Sequence, residues 1–221
     1  MKRRIFIKSG ISLGALFLLP DLATKASIKR LPKVLIIGDS ISMGYTPFVQ
    51  KLLQGKAVVT RPNENCFDSG NGLKKADIWL NGEKFDIIHF NFGLHDLKHI
   101  DKVTGKVSSK IEDPVNVELS DYALNLQQII EKFRKSGAKL IFATTTPVPE
   151  NSGSTLRLPS NPPKYNQTAI KVMKYNKVVI NDLYKVVMKN PTLQKPNNVH
   201  FTDKGSEILA RQVTKAILKE M

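Results

Sequence analysis

One serine in this sequence stands where a nucleophile could work. Val34, Leu35, Ile36 and Ile37 form an unbroken aliphatic run closed by Gly38. That is the pattern of a short strand buried on both faces of a parallel sheet. Gly38-Asp39-Ser40-Ile41-Ser42 then turns the chain at the strand's carboxyl end, the edge where open α/β sheets carry their chemistry. A hydroxyl there becomes a nucleophile when a base can reach it. The plainer role for Ser and Asp after a strand is turn former or helix N-cap. The imidazoles available as bases are His89, His95, His99 and His200. They lack HxxxH order, and no spacing in the chain reads as a metal site.

Alternating strands and helices must position these groups. After Ser40, residues Tyr45 to Gln54 read as a helix stopped by Gly55, and Lys56 to Thr60 as a second strand. Arg61 to Gly72 reads as a polar loop and Leu73 to Leu80 as a short helix. Phe85 to Asn91 is a third strand, followed by a long charged stretch from Lys98 to Val117 with a small hairpin at Val103 to Val107. Ser120 can cap a helix to Ser136 that turns Tyr122, Leu126, Ile129, Ile130 and Phe133 to one side. Lys139 to Thr144 is a fourth strand, and an irregular Pro-, Ser- and Asn-rich stretch runs from there to Pro163. Helices at Tyr165 to Tyr175 and Leu183 to Met188 flank a fifth strand at Val178 to Ile180. A last helix after Thr202 or Asp203 carries Ile208, Leu209, Val213, Ile217 and Leu218 inward. This alternation implies right-handed crossovers and a flavodoxin-like three-layer α/β/α sandwich with a parallel sheet of about five strands. Such a fold does not assign a function by itself.

Four short blocks in order along the chain resemble the SGNH (GDSL) hydrolases, a superfamily of serine esterases and lipases. They are Gly38-Asp39-Ser40-Ile41-Ser42, Asn65 to Gly70, Gly93-Leu94-His95-Asp96 and Asn197-Asn198-Val199-His200. The resemblance implies that Ser40 is the nucleophile and His200 its base. It implies an oxyanion hole formed by the N–H groups of Ser40 and Gly70, with Gly72 the alternative, and by a side chain at the third block. Two departures stand out. His95 occupies the place of the superfamily's asparagine, and an imidazole N–H could donate there instead. Asn197 occupies the place of the triad aspartate, so His200 must be oriented by a neutral group, with Asn197 and Asn198 the candidates. Asp96 matches the third block's last residue and is expected to order loop backbone. The third and fourth blocks are altered together, the mark of a variant site.

The expectation is a serine esterase working through a Ser-His dyad, with no metal or organic cofactor. Its substrate would be a small-molecule or polysaccharide ester, with acetyl groups on polysaccharides the first choice by resemblance. The rival expectation is a glycan- or cell-wall-binding protein on the same scaffold with a disabled triad. A phosphatase or nucleotide-binding domain would need a phosphate loop or paired metal carboxylates, which Gly38 to Gly44 does not supply.

The amino-terminal segment reads as an address. Lys2-Arg3-Arg4-Ile5-Phe6-Ile7-Lys8 precedes an apolar run from Ile11 to Leu19, with small residues near Ala23 and Ala26. That is the order of a secretory signal peptide, and the paired arginines resemble the twin-arginine export signal of bacteria. The run is too short for a stable span, although an uncleaved anchor is the alternative. Cleavage after Ala26 would leave residues 27–221 as a single exported domain, periplasmic or extracellular. The formal net charge of +15 would fall by four. No basic block is long or interleaved with aromatics, so nucleic acid is not an expected partner. Cys66 is the only cysteine, so the fold must hold through its core, with no internal disulfide.

Overall fold

The computed structural model describes residues 30–152 and 155–221. The signal segment read at 1–26 lies outside the described residues. Five strands form one sheet: β1 (Lys33–Ile37), β2 (Val58–Thr60), β3 (Ile87–Phe90), β4 (Lys139–Ala143) and β5 (Val179–Asn181). Their spatial order is β2-β1-β3-β4-β5, and every neighbouring pair is parallel. The expected α/β sandwich with a five-stranded parallel sheet is the fold observed.

Among the described residues six α-helices cover the sheet: α1 (Ser40–Leu52), α2 (Ser69–Leu80), α3 (Leu119–Arg134), α4 (Asn161–Tyr175), α5 (Leu183–Met188) and α6 (Asp203–Glu220). One layer packs α1 against α6, with α5 beside it; the other packs α2 on α3 and α3 on α4. The central strands are aliphatic because both layers press on them. Val34, Ile36 and Ile37 of β1 and Ile88 and Phe90 of β3 are wholly buried, each such side chain contributing roughly 1.5–3 kcal/mol. β1 lies between β2 and β3, so the chain leaves it first to one side and then returns across it. Its carboxyl end is a topological switch point, where a crevice forms between diverging loops.

Several helices start earlier than propensity suggests. α1 begins at Ser40, because the buried Asp39 side chain accepts the Ile41 N–H at 2.9 Å. It continues through Pro47, a residue that usually stands in a first turn. α2 begins at Ser69, not at Leu73, because Asp68 accepts the Asn71 N–H at 3.0 Å. Gly70 and Gly72 therefore sit inside a helix and not in a loop. Gly72 has a packing reason: a Cβ there would lie 2.4 Å from Cζ of Phe92. α4 starts at Asn161 with Pro162 and Pro163 in its first turn, where their missing N–H groups have no intrahelical partner to lose. α3 starts at Leu119, so Ser120 lies within it and is not its cap. On α6, Leu209, Val213 and Ile217 are buried as expected, whereas Leu218 is 43% exposed and Ala210 takes the inward place.

The stretch from 98 to 117 is ordered. His99 pairs with Val115 and Ile100 with Val107, both antiparallel, and the tip turns around Asp101, whose carboxylate accepts the N–H groups of Val103 and Thr104. Its root is held by Asn116 N–H to Lys98 O and Val117 N–H to Asp96 O.

Candidate active site

Ser40 is the first residue of α1 and half-buried at the carboxyl end of β1. His200 reaches it across 160 residues of sequence, with Nε2 at 2.9 Å from the Ser40 Oγ. The loop that carries His200 is fixed at both ends. The Lys195 N–H donates to His200 O at 2.8 Å, and the Thr202 N–H donates to Leu193 O at 3.0 Å. Thr202 then caps α6 by accepting the Gly205 N–H at 3.0 Å. Gly205 is required where it stands, because a Cβ would meet Leu193 O at 2.2 Å.

The orienting group is Asn198. Its Oδ1 lies 2.9 Å from the His200 backbone nitrogen and 2.8 Å from His200 Nδ1. A backbone N–H can only donate, so the facing Asn198 atom is the carbonyl oxygen. That oxygen can only accept, so Nδ1 carries the proton and Nε2 turns a lone pair towards Ser40. This is the tautomer a general base needs. Asn197, three residues before the histidine, makes no hydrogen bond to it; it is exposed and occupies the left-handed region at φ 49°. The orienting candidate Asn197 is thus replaced by its neighbour. The imidazolium form of His200 is disfavoured by partial burial, by Lys195 and by Arg157, which together lower its pKa.

Ser40 and Gly70 stand in the first turns of α1 and α2. The N–H groups of Ser40 and Gly70 have no hydrogen-bond partner among the described residues, as first-turn donors of α1 and α2 require no intrahelical acceptor. Both are available for a developing negative charge. Gly72, the alternative donor, is already committed: its N–H donates to Asp68 O at 2.9 Å. The α2 terminus is tied to the nucleophile's turn by the Cys66 N–H, which donates to Gly38 O at 3.3 Å.

His95 lies on the loop after β3. Gly93 makes that loop possible, with φ 147° and a Cβ position only 2.9 Å from the Thr145 Cβ. The Tyr122 hydroxyl donates to Phe92 O at 2.8 Å. Burial first, then Lys98 and Arg157, push the His95 pKa down to about 4, so the ring is neutral across the ordinary range. Its Nδ1 is buried without a partner. Placing the one ring proton on Nε2 avoids burying an unpaired N–H, which leaves Nε2 as a donor. The ring is held edge-to-face by Phe67, centroids 5.4 Å apart.

Asp96 is wholly buried and joins the His95 loop to the start of α2. Its Oδ1 accepts the Ser69 N–H at 2.9 Å and the Ser69 hydroxyl. It therefore fixes the His95 loop against the start of α2 and touches neither Ser40 nor His200. Burial raises its pKa to about 7. His89 and His99 take no part: His89 is a core residue accepting from Asn181 Nδ2 at 3.1 Å, and His99 Nδ1 bonds Asp113 O at 2.6 Å. Among the described residues no group of three His, Cys, Asp or Glu could hold a metal ion.

Arg157 was not singled out by the sequence. It is half-buried, donates through Nε to Leu94 O at 2.9 Å, and so lies against the His95 loop. Its one signal is that it is the sole basic residue between 150 and 163.

Comparison with known proteins gives structural likeness alone. No protein-family model matches the chain, and no curated protein matches it. Among solved structures it is similar to a lipase/acylhydrolase from Enterococcus faecalis, at 19% identity and a TM-score of 0.69 over 85% of this chain and 95% of that one. It is similar to an acetyl xylan esterase, at 17% identity and 0.66 over 84% and 99%. A GDSL-like lipase from Bacteroides thetaiotaomicron matches at 17% identity and 0.65 over 86% and 89%. At these identities the likeness establishes the fold: the chain has the fold of the GDSL lipases and esterases.

Proposed function

We propose that the chain is a serine ester hydrolase of the SGNH type, and the observation that carries this is the Ser40–His200 pair with Asn198 behind it. His200 takes the Ser40 proton as Oγ attacks the ester carbonyl carbon. The carbonyl oxygen, now negative, is met by the N–H groups of Ser40 and Gly70 and by the His95 side chain. His200 then gives its proton to the departing alkoxide, leaving the acyl group on Ser40. A water deprotonated by the same imidazole attacks the acyl-enzyme, and the acid leaves with Ser40 restored. No carboxylate hydrogen-bonds His200 among the described residues, so the neutral Asn198 amide fixes the tautomer without offsetting imidazolium charge.

The substrate reading is acetyl groups on a polysaccharide. It is supported by the acetyl xylan esterase among the structural neighbours. A groove of about 550 Å³ lies beside the His200 loop, walled by Pro147, Pro149, Pro191, Lys195 and Pro196. The binding-protein reading rests mainly on Asn197, and an acceptor for His200 Nδ1 on Asn198 speaks for the esterase over it. We also propose export, from the basic and then apolar order of residues 1–26. No helix among the described residues is long and apolar enough to cross a membrane. Release of nitrophenol from p-nitrophenyl acetate by the wild type and by Ser40→Ala tests the activity. Equal rates would refute it.

A further inference from the structure

Arg157 is anchored against the His95 loop more firmly than a surface arginine. The Leu156 N–H donates to Ser108 O at 3.3 Å, and Leu156 O accepts the His99 N–H at 2.9 Å. With Nε held by Leu94 O at 2.9 Å, backbone and side chain are both anchored. The two terminal guanidinium nitrogens have no hydrogen-bond or ion-pair partner among the described residues. The charge acts on Asp39 and His200, which flank Ser40, and on His95 and Lys98 of the loop it is bonded to.

The counter-charges nearby, Asp39 and the Glu150 that lines the same groove among them, make no ion pair with it. Asp39 is 2% exposed and occupied in capping α1. Asp68 and Asp96 act on Lys98, and the Asp96 oxygen that has partners is taken by Ser69. Lys195 adds a further positive charge at His200. A half-buried guanidinium without an anion is costly, and its planar fork matches a carboxylate through two parallel N–H bonds.

We propose that Arg157 binds a carboxylate of the substrate, so that the ester cleaved at Ser40 carries an anionic group on its alcohol or its acyl part. This rests on the esterase reading for the chemistry but not for the binding. It narrows the substrate class to acidic esters, such as acetylated polymers that contain uronic acids. The anion would also offset the positive field at His200 in which the imidazolium must form.

Two matched ester pairs test it. 3-Acetoxybenzoate and methyl 3-acetoxybenzoate differ by a charge on the leaving group; mono-4-nitrophenyl adipate and its methyl ester differ by a charge on the acyl group. The proposal expects the anionic member of at least one pair to have the higher kcat/KM by about tenfold or more. The preference should vanish in Arg157→Gln and survive in part in Arg157→Lys, which keeps the charge without the fork. No anionic preference in either pair, or one that persists in Arg157→Gln, would overturn it. Binding of 3-acetoxybenzoate and its methyl ester to Ser40→Ala, and of the adipate pair likewise, is measured by calorimetry and needs no turnover. Anion-selective binding lost on adding Arg157→Gln supports the site even if no ester is cleaved. Catalysis without anion selectivity refutes the site and leaves the esterase standing.

Discussion

Asn198 and His200 are joined twice through one atom: the asparagine Oδ1 accepts the histidine's backbone N–H at 2.9 Å and its Nδ1–H at 2.8 Å. The first bond fixes which amide atom faces the ring, and the second thereby fixes the ring's tautomer. An Asx turn, ordinarily a device for shaping loops, is in the proposed mechanism what takes the orienting part of a triad aspartate's work.

That relationship predicts opposite effects from two substitutions. Asn198→Ala removes the acceptor and should lower kcat/KM for p-nitrophenyl acetate by about 10²-fold or more, within the ~10⁴ known for a misoriented triad histidine. Asn198→Asp keeps the acceptor and adds charge opposite the developing imidazolium. It should raise kcat by roughly tenfold, since charge-assisted hydrogen bonds are about twice as strong as neutral ones. A fall in both variants would show that Asn198 shapes the loop without orienting the base.

His95 should act as a neutral donor. His95→Ala is expected to cost about 10²–10³ in kcat, with a smaller change in KM. His95→Asn, which restores an amide N–H, should recover part of the rate. Equal losses in the two would place His95 in the loop's structure.

The acid limb of the rate profile follows from His200. The base works only when neutral, and burial, Lys195 and Arg157 lower its pKa from 6.5, so activity should persist to a lower pH than a free imidazole would allow. Lys195→Gln removes one of the positive neighbours and should move the midpoint of the acid limb in kcat/KM upward. A midpoint that stays in place or falls would contradict the assignment.

Asp96 gives a stability prediction with a definite sign. Its folded-state pKa is raised from 3.8 to about 7, so the folded chain holds a proton that the unfolded chain releases. The stability this lends is complete below pH 3.8 and lost as pH rises to about 7. Asp96→Asn removes the dependence. The variant's melting temperature relative to wild type should therefore improve between pH 5 and pH 8, by an amount corresponding to on the order of 2–4 kcal/mol. A difference that stays flat or worsens would mean that Asp96 remains ionised.

How much of this could be read from the residues varies with the physics involved. Val34 to Ile37 and Ile87 to Phe90 announce central strands because burial on both faces demands unbroken aliphatic runs. The starts of α1, α2 and α4 are hidden because Pro47, Gly70 and the Pro162–Pro163 pair are poor helix formers. The Asp39 and Asp68 caps and the fit of Gly72 under Phe92 outweigh that weakness. The pairing of Ser40 with His200 is legible from their positions at a strand end and before the last helix. Asn198 was harder to choose over Asn197, because counting three residues back from the histidine says nothing of a left-handed turn at Asn197. Arg157 was illegible, since its place depends on the Leu156 and Leu94 backbones, contacts across 48 and 63 residues that no local pattern encodes.

The most direct test of the central claim is covalent labelling of the chain by a fluorophosphonate, located by peptide mass spectrometry. The account predicts one phosphonyl group on Ser40, formed much more slowly in His200→Ala and absent in Ser40→Ala. Labelling at another residue, or at Ser40 with an unchanged rate in His200→Ala, would contradict a nucleophile activated by this histidine.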